Sequence, residues 1–196
     1  MSKAVLISIH PEWCERIANG KKTLEVRKTR PKLDTPFKCY IYCTAGNLSY
    51  PVKNGMVCHN NGGKVVIGEF MCDSIRCFDV PYPAFQKELD KSILEQSCLT
   101  YYQLHRYAYH DALFGWHISD LVIYDTPKEL GEFIPVCRYG QGGECEGVAK
   151  VYCPFQKRDY NPDGSINIVD CTKRVSGAPQ SWCYVEELAE GGTDDG

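Results

Sequence analysis

One short segment of the sequence gathers residue types that bind phosphate and carry acid–base chemistry. It reads GKKTLEVR and places Lys22, Glu25 and Arg27 within six consecutive residues. A lysine supplies a point charge and an arginine a planar fork of donors, and both suit phosphate. The glutamate between them can accept hydrogen bonds from the amino group of a base, or act as a general base. The interpretation that needs no ligand is a salt-bridge cluster on a solvated face of a sheet.

This segment is unusually basic for the chain that contains it. The formal net charge is -3, yet residues 21–32 hold six basic residues and one acid. Residues 186–195 hold five acids and no base, and the composition of residues 189–196 is typical of a flexible acidic tail. The overall charge therefore says little about partners, whereas the local basic patch predicts an anionic one.

The flanking residues predict how the segment is positioned. The apolar run Ala4–Ile9 suits a buried strand, and Pro11 stands where a helix can begin. Gly20 is placed to end that helix in a left-handed conformation. The alternation that follows predicts a strand with Glu25 and Arg27 side by side on its polar face.

The rest of the chain predicts a fold rich in β-structure. Thr100 and Gln103 form a capping-box pattern at the start of a short helix. Four further strands are predicted, over residues 38–44, 64–75, 113–124 and 181–187. Five or six strands with few, short helices argue against a doubly wound sheet, which needs a helix at almost every crossover. We therefore expect an α+β fold, a mixed β-barrel with short peripheral helices.

Composition limits the class of protein and its organisation. No apolar run approaches the ~20 residues of a membrane span, and the first residues lack the pattern of a signal peptide. We expect a cytoplasmic protein with no membrane partner, whose 12 cysteines are mostly free thiols. A single domain is predicted over residues 1–188, with a loop-rich insertion at 137–177 that is rich in Gly, Cys, Pro and Asp.

The basic segment also carries a family resemblance. Following a helix, Gly20-x-Lys22-x-x-Glu25-x-Arg27 resembles the GxKxxExR signature of the ASCH domain, a member of the PUA-like superfamily. The segments VIGEFMCD, GWHISDLVIYD and PQSWCYVEE, in this order, also resemble ASCH proteins of bacteria and their phages. The resemblance implies a small PUA-like β-barrel flanked by helices, with a cleft that family members are proposed to use for RNA or nucleotides.

The same resemblance leaves an enzymatic alternative open. A few similar small proteins hydrolyse the acyl amide of N4-acetylcytidine, and some are reported to cleave RNA. In those hydrolases the motif lysine is followed three positions later by a threonine nucleophile. Lys22 matches that lysine, but Glu25 occupies the threonine position. An enzyme of this kind would need water activated by Glu25, with Lys22 stabilising the developing oxyanion.

Three further residues are candidates for ligand contact. Trp116 and His117 point to opposite sides of one predicted strand, so we expect Trp116 in the core and His117 near the motif as a base contact or proton carrier. His10 has a similar placement after the first strand, and for both histidines a hydrogen-bonded structural role is the alternative. Trp182 is a candidate for stacking a base.

The spacing of the cysteines favours free thiols over a metal site. The chain has no CxxC pair, the spacing common in zinc sites. We expect no cofactor, and zinc in the insertion is the alternative, with Cys137, Cys145, Cys153 and Cys171 as its candidate ligands. Buried free thiols are the simpler account of Cys39, Cys43, Cys72 and Cys183.

Together these observations predict a protein that binds single-stranded RNA or a nucleotide and recognises a modified base in a basic cleft. A hydrolase acting on nucleosides or RNA is the first alternative. The second is a protein-interaction domain whose partner meets the tyrosines of the predicted helix, namely Tyr101, Tyr102, Tyr107 and Tyr109.

Overall fold

The computed structural model describes residues 2–51, 57–81, 89–136, 156–160, 166–171, 175 and 177–188. Most of the predicted insertion and the acidic tail lie outside the described residues, as do Cys137, Cys145 and Cys153. The fourth candidate zinc ligand, Cys171, is the last residue of a strand. The zinc site and the flexible tail therefore stay predictions.

Strands dominate the described residues, with three short helices and one turn of 3₁₀-helix. In chain order the elements are β1 (Lys3–Ile9), α1 (Pro11–Ala18), β2 (Leu24–Arg27), β3 (Phe37–Cys43), β4 (Asn47–Pro51), β5 (Val57–Asn61), β6 (Val65–Phe78), α2 (Lys91–Ser97), α3 (Tyr101–Ala108), β7 (Leu113–Lys128), a 3₁₀ turn (Leu130–Glu132), β8 (Gln156–Tyr160), β9 (Ile166–Cys171) and β10 (Trp182–Glu186).

Six strands form one mixed sheet in the order β10-β1-β3-β6-β7-β2. Strands β1 and β3 are parallel, and the other neighbouring pairs are antiparallel. Two hairpins, β4–β5 and β8–β9, form separate two-stranded sheets. The predicted α+β class, with six strands in its main sheet and short helices, is confirmed.

The main sheet is strongly curled. Trp116 on β7 and Trp182 on β10 are separated by three intervening strands, yet their ring centroids lie 6.1 Å apart. A flat sheet with strands about 4.8 Å apart would hold them roughly 19 Å apart. The curl is therefore that of a barrel. No ladder joins β2 to β10 within the described residues, so the sheet is open, and side chains bridge the gap: Trp182 Nε1 donates to Thr29 Oγ1 at 3.1 Å.

Alternation along the strands separates two apolar layers. On β3, Cys39 and Ile41 belong to the cluster inside the curl, where Trp116 is fully buried, while Tyr40 and Tyr42 belong to a cluster on the other face. Burying an aromatic of this size typically contributes about 3–5 kcal/mol relative to alanine. A third cluster packs α2 and α3 against β2 and fixes the strand that carries the basic motif.

The structure departs from the sequence predictions in two places. The polar stretch before Gly63 contains the β4–β5 hairpin, and α2 was not predicted. Gly68 lies where β6 approaches β7 closely, because a Cβ there would lie 2.3 Å from the Val122 carbonyl oxygen.

The cysteines mostly match the prediction of buried free thiols. Of the four cysteines predicted as buried free thiols, all are free; Cys39, Cys43 and Cys72 are buried, whereas Cys183 is only half-buried. None of the described helices has the length and apolar content to cross a membrane.

Candidate functional site

The three motif side chains meet in one buried ion cluster. Lys22 Nζ lies 3.2 Å from Glu25 Oε2, and Arg27 Nη2 lies 2.9 Å from Glu25 Oε1. Their side chains are 2%, 8% and 11% exposed respectively. We call Lys22, Glu25 and Arg27 the motif trio. Burial contradicts the interpretation of this segment as a solvated face.

Local backbone geometry brings the trio together. Gly20 follows α1 with a φ of +69°, the left-handed conformation that the sequence predicted. The amide nitrogens of Lys21 and Lys22 then donate to the Arg16 carbonyl at 2.9 and 3.0 Å. The chain turns from the helix into β2, where alternation places Glu25 and Arg27 on one face.

The Lys22 ammonium is held entirely by the protein. Besides Glu25, it donates to the backbone carbonyls of Leu24 at 2.9 Å and Ser97 at 2.8 Å. An ammonium has three donors, so these partners account for all of them. The Lys22 nitrogen also lies 5.4 Å from the centre of the Trp13 ring. Lys22 therefore fixes Glu25 and ties β2 to α2.

Arg27 is held less completely. Its Nη2 atom donates to the Ser8 carbonyl at 2.5 Å as well as to Glu25. Its Nε atom is buried and has no hydrogen-bond partner in the part of the chain that the structure describes. A buried donor without a partner typically costs about 1–3 kcal/mol. Arg27 is thus the member of the trio with donor capacity to spare.

The trio lines a cleft of about 500 Å³. This volume falls in the usual range of small-molecule sites, roughly 300–1,000 Å³. The other lining residues are mostly polar or aromatic. They come from β1, α1, β2 and α3, from single positions after β1, after β3 and before α3, and from the segment before β10: Ser8, Ile9, His10, Trp13, Val26, Thr44, Leu99, Gln103, Tyr107, Pro179, Gln180 and Ser181.

Helix α3 supplies one wall of the cleft. Gln103 and Tyr107, one helical turn apart, both line it. The predicted capping box is present: Gln103 Oε1 accepts from the Thr100 amide at 2.8 Å, and Thr100 Oγ1 accepts from the Gln103 amide. Because its oxygen serves the cap, the side-chain NH₂ of Gln103 is the group left for a ligand.

Segment 179–181 supplies the facing wall. Ser8 anchors it twice, since the Ser8 amide donates to the Ser181 carbonyl at 2.9 Å and the Ser8 hydroxyl to the Pro179 carbonyl at 2.7 Å. His10 is exposed at the rim, where its Nδ1 atom and Thr44 Oγ1 lie 3.2 Å apart. The sequence candidate His10 is therefore part of the cleft.

His117 is not part of it. Leu24 pairs with His117 across β2 and β7, whereas Glu25 pairs with Trp116. Directly opposed residues share a face of the sheet, so His117 lies on the face opposite Glu25. Its Nδ1 atom lies 2.7 Å from Asp73 Oδ1 at the surface. The expectation that His117 stands near the motif is wrong, because the register between β2 and β7, which alternation within one strand does not specify, places it on the other face.

Trp182 lies beside the cleft and does not line it. The indole is packed against Trp116 and Tyr184, with ring centroids 6.1 and 5.3 Å away, and its nitrogen is bonded to Thr29. The core placement predicted for Trp116 is confirmed. Trp13 and Tyr107 do line the cleft; neither was a candidate for nucleotide contact, and Tyr107 was named only for a protein partner. Tyr107 could have been found from its spacing of four residues from the capping-box glutamine.

Burial also sets the chemistry of the thiol behind the cleft. Burial, together with a hydrogen bond to Cys43 and the negative charge of Glu25, holds the pKa of Cys14 well above its ordinary value. The Cys14 thiol is therefore protonated and packs as a small apolar group. Within the described ranges, no group of His, Cys, Asp or Glu side chains could hold a metal ion.

Comparison with known proteins gives a family match and similar structures. A family model described as ASCH domain matches residues 7–43, which include α1, β2 and β3. A search of curated protein sequences found no match. The chain is similar to the crystal structure of ASCH from Zymomonas mobilis, with 23% identity, 65% of this chain and 73% of that chain covered, and a TM-score of 0.46. A serine-to-alanine variant of the same protein gives 23% identity, coverage of 65% and 74%, and a TM-score of 0.44.

Proposed function

We propose, on the premise that this protein is an ASCH domain protein, that its cleft binds a nucleotide, either free or as part of single-stranded RNA. The observation that carries the proposal is the charge balance of the motif trio. Two cations share one carboxylate in the wall of the cleft, and Arg27 Nε is buried without a partner. An anionic group of a ligand would supply the missing charge, and a small movement of the Arg27 side chain toward it would give the buried Nε–H its acceptor.

The other lining residues suit the rest of a nucleotide. Tyr107 offers an aromatic face that is partly exposed, and bases stack on such faces. The Gln103 amide, Gln180 and Ser181 offer hydrogen-bonding groups for a base edge or a sugar. Recognition of a modified base would depend on these polar groups, because a site built to bond a substituent rejects analogues without it.

The hydrolase alternative has less support from the geometry. Both Glu25 oxygens are already paired with cations, and all three Lys22 donors are satisfied by the protein. A general base needs a free oxygen within reach of the attacking water, and an oxyanion stabiliser needs a free donor. Turnover of an N4-acylcytidine remains a prediction of the sequence resemblance.

A charge placed in the cleft tests the binding proposal without disturbing the fold. In Gln103→Glu the capping box is preserved, because glutamate serves that position as well as glutamine, while the NH₂ that faces the cleft becomes a carboxylate oxygen. Gln96→Glu is the matched control, since Gln96 is exposed on α2 and does not line the cleft. Titration calorimetry with a panel of nucleoside monophosphates at low salt would measure the affinities of the wild type and of both variants.

We expect Gln103→Glu to weaken nucleotide binding about tenfold, the effect of roughly 1.4 kcal/mol of repulsion between like charges. Gln96→Glu should bind like the wild type, and the bound nucleotides should be recovered intact. Equal affinities for the two variants, or the absence of saturable binding by any nucleotide, would contradict the proposal.

A further inference from the structure

Helix α3, which supplies one wall of the cleft, also carries an exposed surface beside that wall. Tyr102 and Tyr109 are the most exposed large hydrophobic side chains in the part of the chain that the structure describes, at 81% and 77%. Arg106 is exposed as well. We call Tyr102, Arg106 and Tyr109 the α3 stripe.

The stripe lies next to the wall of the cleft. Tyr102 and Arg106 are four residues apart and therefore neighbours on the helix, and each directly precedes a residue that lines the cleft. An α-helix turns by about 100° per residue, so the stripe lies a little more than a quarter turn around α3 from the pair Gln103–Tyr107. Tyr109 follows at the C-cap, with a φ of +45° that ends the helix.

The charges around the stripe are mostly positive. From Tyr101 to His110 the sequence has one arginine, two histidines and no acid. Lys28 lies 5.6 Å from the centre of the Tyr107 ring at the mouth of the cleft. The Lys28 ammonium is 3.7 Å from Asp111, a loose and exposed contact that leaves it free for another anion.

Exposed aromatic rings interleaved with cations are the chemistry of single-stranded nucleic acid binding. Bases stack on aromatic faces whatever their sequence, and cations between the rings meet the phosphates. Tyr102 and Tyr109 bury little of their side chains, so they contribute little to the core, and Leu104 and Ala108 form the buried face of α3.

We propose that the α3 stripe binds the nucleotides that flank the one held in the cleft, so that the preferred partner is single-stranded RNA several nucleotides long. This inference rests on the proposed function of the cleft. It assigns Tyr102 and Tyr109 to base stacking and Arg106 and Lys28 to phosphate contacts. Duplex RNA of the same sequence binds more weakly, because its bases are not available to stack.

The test compares a mononucleotide with an eight-nucleotide single-stranded RNA. Fluorescence anisotropy of the labelled RNA and competition by the mononucleotide would be measured for the wild type and for Tyr102→Ala with Tyr109→Asn. Alanine suits the helix interior, and asparagine tolerates the left-handed conformation at residue 109, so the double variant keeps the fold. Val122→Ala, which removes an exposed apolar side chain of β7 that does not line the cleft, is the control for a general loss of exposed apolar surface.

The wild type should bind the octamer at least tenfold more tightly than the mononucleotide. The double variant should lose about tenfold for the octamer and change less than twofold for the mononucleotide. The inference is wrong if the mononucleotide binds and the octamer binds no more tightly, or if the double variant keeps the full difference in affinity. In either case the cleft proposal stands, and a protein partner becomes the explanation of the stripe. If the octamer binds through the tyrosines and the mononucleotide does not compete, the cleft proposal fails and the stripe remains.

Discussion

The two faces of the curled sheet each carry a cluster of three charges, with opposite balance. The motif trio has two cations and one carboxylate and faces the cleft. On the other face, the Lys38 ammonium lies 3.2 Å from Glu69 and 3.1 Å from Glu187. We call these three residues the rear cluster.

The rear cluster is more exposed and more completely bonded. Its side chains are 15%, 23% and 30% exposed, so water screens them. Tyr124 donates to Glu69 at 2.5 Å, and the Ser2 hydroxyl donates to Glu187. Its bonds join the first residues of the chain to the residues that follow β10, which is a structural role.

The two clusters differ in role: the charges of the rear cluster stabilise the fold, whereas the trio has charge and donor capacity available for a ligand. Both clusters tie strands together. They differ in one respect within the described structure: the trio has a buried donor without a hydrogen-bond partner, Arg27 Nε, and the rear cluster has none. The same residue types therefore serve different ends, and burial, charge balance and unmet hydrogen bonds distinguish them.

The largest effect should come from neutralising the carboxylate of the trio. Glu25→Gln leaves Lys22 and Arg27 buried without a counter-charge, and we expect a loss of about 3–5 kcal/mol in the free energy of unfolding. Urea denaturation at neutral pH measures it. Glu69→Gln is the matched control, because Lys38 keeps Glu187, and about 1 kcal/mol is expected there. Equal losses for the two variants would remove the distinction between the clusters.

A smaller effect should follow from removing the cation of the rear cluster. Lys38→Met leaves Glu69 and Glu187 facing each other, but both are exposed enough for water to replace the ammonium. We expect a loss of about 1–2 kcal/mol by urea denaturation and no change in nucleotide affinity. A loss as large as that of Glu25→Gln would show that the rear cluster behaves as a buried one.

The rear cluster should also respond to acid. The hydrogen bond from Ser2, with the nearby Lys38 ammonium, holds the pKa of Glu187 below its ordinary value of 4.5. A carboxyl whose pKa is lowered by folding stabilises the protein above its ordinary pKa and loses that contribution as the pH falls through the folded value. Glu187→Gln should therefore lower the melting temperature near neutral pH and do so less below about pH 4. A difference between the two proteins that is constant with pH would contradict this assignment.

The smallest effect is expected at His117. Its contact with Asp73 is exposed, and it lies on the face of the sheet opposite Glu25. We expect His117→Ala to change nucleotide affinity less than twofold and stability by less than about 1 kcal/mol. His10→Ala is the informative comparison, since His10 lies at the rim of the cleft. A strong loss of binding in His117→Ala alone would mean that the ligand uses the other face.

Local signals in the sequence were sufficient to predict the elements that position the motif trio. The end of α1 at Gly20, the alternation of β2 and the capping box of α3 each depend on nearby residues, and each is present in the structure. The family resemblance placed Lys22, Glu25 and Arg27 at a cleft, which the geometry matches.

What depends on distant contacts could not be predicted in the same way. The face that His117 occupies follows from the register between β2 and β7, which no local pattern specifies. The three acceptors around Lys22 include the carbonyl of Ser97, from a helix that was not predicted. The wall formed by residues 179–181 depends on bonds to Ser8, which is 171 residues from Pro179 along the chain.

The most direct test of the account is to observe the buried Nε–H of Arg27 while a nucleotide is added. Proton–nitrogen correlation spectra resolve arginine Nε–H signals, and the signal that disappears in Arg27→Lys identifies this one. We predict that the signal shifts downfield and saturates at the nucleotide concentrations that saturate binding, because the ligand supplies the missing acceptor. Saturable binding that leaves this signal unchanged would place the ligand elsewhere and contradict the account.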